Sequence, residues 1–225
     1  MLYKRAAESS PHDADAICNY AFFLRTERRE IDAAGALYKR AVESNPWDVD
    51  ALTAYADFLT GEKRDIAGAD ALYKKSIEGS PTDVVALCNY AQFLIDQKAD
   101  PDSAEKLMWK AVEVAPHDSQ ALCSLAAFLR EERRDMDRAE EYFRKGVESS
   151  PHDADALCDL AHFLTEERRD VEAADTLLQL AVESNPEDPD VIDAYSEFLR
   201  KEKRDRKGAD ALKMRAARIK EMGDE

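Results

Sequence analysis

Apolar and polar positions along this chain follow a helical period that restarts every 35 residues. Between Trp47 and Pro81, apolar or small side chains fall at Leu52, Tyr55, Ala56 and Leu59. They fall again at Ala69, Leu72, Tyr73, Ser76 and Ile77. Both sets have the i, i+3, i+4, i+7 spacing of an amphipathic helix. Each repeat therefore predicts two helices, of about 15 and about 14 residues, within the usual range.

The helix ends are written in the same period. Proline recurs at Pro11, Pro46, Pro81, Pro116, Pro151 and Pro186, always 35 residues apart. It disfavours helical geometry in the residue before it and so closes the second helix. Two positions later stands an Asp, at Asp13, Asp48, Asp83, Asp118, Asp153 and Asp188. Asp is a natural N-cap, here for the first helix. The second helix has its own acidic start at Glu30, Asp65, Asp100, Asp135, Asp170 and Asp205. Pro189 and Pro101 each follow such an Asp, where a first-turn proline is tolerated. Basic pairs precede the second helix: Arg28-Arg29, Lys63-Arg64, Arg133-Arg134, Arg168-Arg169 and Lys203-Arg204. Their recurrence with the period favours a role at the C-terminal dipole of the first helix over a targeting or nucleic-acid signal.

These residues resemble the tetratricopeptide repeat. The first helix carries Leu52, Tyr55, Ala56 and Leu59, and the second carries Ala69, Tyr73, Ser76 and Pro81. A small residue recurs at Ala21, Ala56, Ala91, Ala126, Ala161 and Ser196, which lets paired helices approach closely. Phenylalanine recurs at Phe23, Phe58, Phe93, Phe128, Phe163 and Phe198, as expected of a core position. Two features depart from the family pattern. The period is one residue longer than the usual 34 or so, with the extra residue between the helices. Ile or Leu replaces the first-helix tryptophan.

The resemblance implies an all-α solenoid, a right-handed superhelix of antiparallel helix pairs. The expected organisation is one array over residues 1–225. A half repeat covers 1–11, full repeats cover 12–46, 47–81, 82–116, 117–151 and 152–186, and a last repeat with a capping helix covers 187–225. The half repeat lacks a first helix, so Leu2, Tyr3 and Ala6 would expose an apolar face. That suggests a fragment of a longer array, or self-association at this end.

Composition narrows the function. The net charge of −16 disfavours nucleic acid and anionic membranes and favours basic partners. No apolar run approaches the roughly 18 residues that span a bilayer, and no secretory signal is evident. Four cysteines without tight spacing suit a reducing compartment. A cytoplasmic location is expected.

In the resembled family the first helices line a concave groove. By position, the peptide-binding residues would be Asp15, Asn19, Phe22, Asp50, Asp57, Asn89, Gln92, Gln120, Asp155, Asp159, His162, Asp190, Asp193 and Glu197. None is Lys or Arg, so the family's basic clamp for acidic tails is missing. The expected function is a scaffold or adaptor that holds a Lys- or Arg-containing peptide or helix. The alternatives are a half-a-tetratricopeptide scaffold of RNA processing and an RNA-binding repeat protein.

Cys18, Cys88, Cys123 and Cys158 share one column and read as small packing residues. Cys158 and His162 would be the only Cys–His pair, without a third orienting group. No enzyme activity, metal or cofactor is expected. Trp47 and Trp109 break the repeat, as exposed contacts or as rings shielded by long neighbours.

Overall fold

A computed structural model describes residues 2–223; Met1, Asp224 and Glu225 lie outside the described residues. The chain divides into two compact units, Met1–Val114 and Ala115–Glu225. Unit one contains α1 (Leu2–Ser9), α2 (Ala14–Thr26), α3 (Ile31–Ser44), α4 (Val49–Phe58), α5 (Ile66–Gly79), α6 (Val84–Lys98) and α7 (Pro101–Val114). Unit two contains α8 (Ser119–Glu131), α9 (Met136–Ser149), α10 (Ala154–Phe163), α11 (Val171–Ser184), α12 (Pro189–Lys201) and α13 (Arg206–Gly223). The described residues include no strand.

Each unit packs its helices in pairs, with three pairs apiece: α2/α3, α4/α5 and α6/α7, then α8/α9, α10/α11 and α12/α13. In unit one α1 packs against α2, leaving Leu2 and Tyr3 exposed. The all-α class and the helical-repeat architecture are those expected. No described helix is long and apolar enough to cross a membrane.

The caps explain why the elements begin where they do. Asp13, Asp48, Asp83, Asp118, Asp153 and Asp188 each accept a hydrogen bond from the N–H three residues on, at 2.8–3.3 Å. Each bond satisfies a donor that the first turn leaves unpaired. The second helices are capped alike by Asp65, Asp100, Asp135, Asp170 and Asp205. Glu30 corrects the pattern, since its side chain makes no cap hydrogen bond. Its extra methylene carries the carboxylate past the short reach that suits Asp at this position.

The turn between paired helices is wide. The carbonyls of Leu24, Leu59, Leu94, Leu129, Leu164 and Leu199 each accept from the N–H six residues on, at 2.9–3.1 Å. The preceding residue is left-handed in every case: Arg29, Arg64, Ala99, Arg134, Arg169 and Arg204, with φ of 48–57°. After α4 and α10 the helix also widens into a π-helical turn, Leu59–Lys63 and Leu164–Arg168. This turn occupies the stretch to which the sequence assigns the extra residue.

The basic pairs split into two unlike roles. The second member takes the left-handed conformation. The first lies over the recurrent phenylalanine, as Lys63 over Phe58 at 5.9 Å and Arg168 over Phe163 at 5.7 Å. At Lys63, Arg168 and Lys203 the first member also bridges to the second helix of the preceding pair. Lys63 reaches Asp32 at 2.6 Å, and Arg168 reaches Asp137 at 2.6 Å and Glu140 at 2.7 Å. Lys203 likewise meets Glu172 and Asp175, both at 3.1 Å. The dipole reading alone does not capture these bridges. The phenylalanine column is core as expected, buried at Phe58, Phe93, Phe128, Phe163 and Phe198.

Candidate partner-binding face

In unit one the first helices adjoin, α2 by α4 and α4 by α6. They bring Asp15, Asp48 and Asp50 together, with carboxylate oxygens within 4.8 Å of one another. Asp48 is committed to its cap and also accepts from the Asn45 amide at 3.0 Å. Asp15 and Asp50 are exposed, and no Lys or Arg among the described residues forms an ion pair with either. Burial, then repulsion from Asp48, Asp15 and Asp83, raises the Asp50 carboxyl above its ordinary range. Asn19 and Phe22 share the face of α2 that carries Asp15, and both are exposed. Arg25 lies 5.1 Å from the Phe22 ring.

Farther along unit one, Asp57, Asn89 and Gln92 are brought together around a cavity of 270 Å³. Asp57 accepts a hydrogen bond from the Tyr73 hydroxyl. Gln92 donates to Asp96 at 2.9 Å. Asp57 and Gln92 thus already have protein partners, which the sequence pattern does not reveal.

Unit two differs in its charge pairing. Lys220 of α13 meets Asp193 at 3.0 Å and Asp190 at 3.6 Å. Lys201 meets Glu197 at 2.7 Å. Asp159 keeps solvent contact, yet partial burial, then repulsion from Asp155, pushes its carboxyl up to about 6 against the pull of Arg130. Asp155 and Gln120 are exposed. His162 and Glu197 line a cavity of 190 Å³ between α10 and α12. The expected positions contain no cation, but Lys201, Lys220 and Arg130 reach them from elsewhere in the unit.

Residues 131–197 match the tetratricopeptide repeat family. That stretch is similar to tetratricopeptide repeats. The fold is shared with PilF of Pseudomonas aeruginosa, at 20% identity and a TM-score of 0.60 over 94% of this chain and 93% of that one. It is shared with TTC0263, a thermophilic TPR protein of Thermus thermophilus, at 19% identity and 0.66 over 83% and 98%. A monomeric mutant of IFIT1, solved with Gppp-AAAA, aligns at 17% identity and 0.69 over 96% of this chain and 53% of that one. At such identities the likeness shows the fold alone. A sequence comparison with curated proteins returns no match.

Within the helix pairs the cysteines have a packing environment. All four are free. Burial comes first among the causes that push the Cys18, Cys123 and Cys158 thiols up to about 12, followed by nearby carboxylates. They hold their protons at neutral pH, so Cys158 is not an activated nucleophile beside His162. Cys123 packs over Gly146 so closely that a Cβ there would lie 2.7 Å from its sulfur.

The tryptophans take opposite roles in these repeats. Trp47 is exposed, lying across Gly79 with the Lys75 ammonium 5.4 Å from its ring. Trp109 is half-buried and donates to Glu105 at 3.3 Å.

Proposed function

We propose that this tetratricopeptide-repeat chain is a protein-interaction scaffold, and that the first-helix face of unit one holds a Lys- or Arg-containing peptide or helix. The observation that carries this reading is the gathering of Asp15, Asp48 and Asp50 within 4.8 Å, without a paired cation at Asp15 or Asp50. Repulsion held in place by the fold is relieved by a cation, and an ammonium or guanidinium group supplies one. Phe22, exposed on the same helix face, offers an apolar contact beside that charge. Asn19 can donate to and accept from an extended peptide backbone. The acids of unit two contribute less, because Lys220 and Lys201 already neutralise three of them.

The test is fluorescence anisotropy with a labelled amphipathic Lys/Leu peptide, its Glu/Leu counterpart and a labelled oligouridine. The Lys peptide is expected to bind, to weaken with added salt, and to bind about tenfold more weakly after Asp15→Asn with Asp50→Asn. Equal affinity for the Glu peptide would reject the acidic face. Preference for the oligouridine at physiological salt would favour the RNA-binding alternative.

A further inference from the structure

The last helix inverts a charge that its sister helices share. Glutamate recurs with the period at Glu8, Glu43, Glu78, Glu113, Glu148 and Glu183. In α1 it pairs with Lys4 at 3.8 Å, and in α3 with Lys39 at 3.9 Å. Such i, i+4 pairs are an ordinary polar finish for an exposed helix face. In α13 the glutamate column holds Arg218, and the column of Lys4 and Lys39 holds Met214. Two turns before Arg215, Lys207 takes a column that holds Asp32, Asp102, Asp137 and Glu172, with Ala67 in α5. An apolar side chain and cations thus stand where the sister helices set a cation beside an acid.

These substitutions border a groove. Pro186, from the turn between α11 and α12, joins Ala211, Met214 and Ile219 of α13 in lining a cavity of 670 Å³. Met214 is 60% exposed. Arg215 and Arg218 belong to the same lining. Arg215 donates to the Pro186 carbonyl at 2.6 Å, which holds its side chain along the groove. A guanidinium carries five N–H donors, so others remain for a ligand. Glu187 also lines the groove, and Glu221 follows Arg218 by three residues. Among the described residues, however, neither arginine forms an ion pair. Lys207, Arg215 and Arg218 are all exposed.

We infer that this groove of unit two docks an acidic amphipathic peptide, with an apolar side chain on Met214 and carboxylates on Arg215 and Arg218. Charge complementarity selects the occupant, since the stripe is cationic in a chain of net charge −16. Arginine suits carboxylates, which it can grip through two parallel N–H bonds. Methionine adapts to apolar side chains of different shape. A bilayer or a nucleic acid presents anionic charge over a wider area, where the acidic remainder of the chain repels it. The inference goes beyond the proposed function, because it adds a ligand class of opposite charge to the one assigned to Asp15 and Asp50.

The experiment uses the full chain with 13C-labelled methionine methyls and amphipathic Glu/Leu, Glu/Ser and Lys/Leu peptides. The Glu/Leu peptide is expected to shift the Met214 methyl saturably, with affinity that falls as salt is added. The Glu/Ser peptide is expected to bind about tenfold more weakly, for want of the apolar contact. Arg218→Glu restores the residue of the sister helices, so the fold is expected to survive while affinity for Glu/Leu falls about tenfold. Arg218→Lys keeps the charge and is expected to retain most of the binding. An unmoved Met214 methyl, an equal response to Lys/Leu, or unchanged affinity in Arg218→Glu would overturn the site. Tighter binding of phosphatidylserine vesicles or oligouridine, or a Met214 shift on concentrating the chain alone, would overturn the peptide as its occupant. Asp15→Asn with Asp50→Asn is expected to leave the Met214 response unchanged. In Arg218→Glu, the comparison of Glu/Leu with Lys/Leu reports on unit one alone, so the two sites fail separately.

Discussion

The Tyr90 hydroxyl donates a 2.9 Å hydrogen bond to the carboxylate of Asp70 in the preceding helix pair. Tyr195 makes the same bond to Asp175 at 3.0 Å, three repeats later. Asp70 also meets Lys74 at 2.9 Å and Lys98 at 3.1 Å. Burial pushes its carboxyl up, but the bonds from Lys74, Tyr90 and Lys98 outweigh this and hold it low. Where the tyrosine column holds Leu160, the acid column holds Glu140, which turns instead to Arg144 and Arg168. Residues in different helix pairs are therefore matched across the junction.

Tyr90→Phe removes one bond of that junction while keeping the ring that lies 5.7 Å from Tyr73. The expected cost is about 1 kcal/mol, because Asp70 retains its two lysines. Urea unfolding followed by circular dichroism measures it, as a lower midpoint with an unchanged slope. Because the folded Asp70 pKa is depressed, the stability it contributes is present above the ordinary carboxylate range and lost as pH falls through the folded value. A variant as stable as the parent would show that the tyrosine bond adds nothing to the ion pairs.

Ala99→Gly should stabilise the chain. Ala99 sits at φ 48°, a conformation that crowds its Cβ against the backbone. Glycine relieves that strain but makes the unfolded chain more flexible, so the net gain is about 0.5 kcal/mol. A rise of the thermal midpoint checks it. No rise would mean that the wide turn holds a Cβ without strain.

Asp159→Asn should remove a pH dependence. The folded carboxyl is raised to about 6, chiefly by burial. Between the unfolded value and 6 the native chain binds more protons, so its stability falls as pH rises through that window. Asparagine is expected to raise stability at neutral pH by about 1 kcal/mol after solvent screening, and to have little effect at pH near 4. Paired melting curves at the two pH values give the comparison. Equal effects at both would assign the change to packing instead of charge.

The sequence by itself determined the period, the helix pairs and the capped starts, because those depend on bonds between residues a few positions apart. Asp48 reads as a cap from its place two residues after Pro46, and the phenylalanine column reads as core. Glu30 is the exception, a carboxylate of the right charge and the wrong length. Tertiary structure decided which acids are free. Asp190 and Asp193 read as open groove residues until Lys220 arrives from α13, and Asp57 until Tyr73 reaches it across the pair. It also separated the pairs at Lys63, Arg168 and Lys203 into a bridge to the preceding repeat and a left-handed hinge. Pairing and filling depend on which side chains converge from helices about one repeat apart, and a periodic sequence marks the column without saying what faces it.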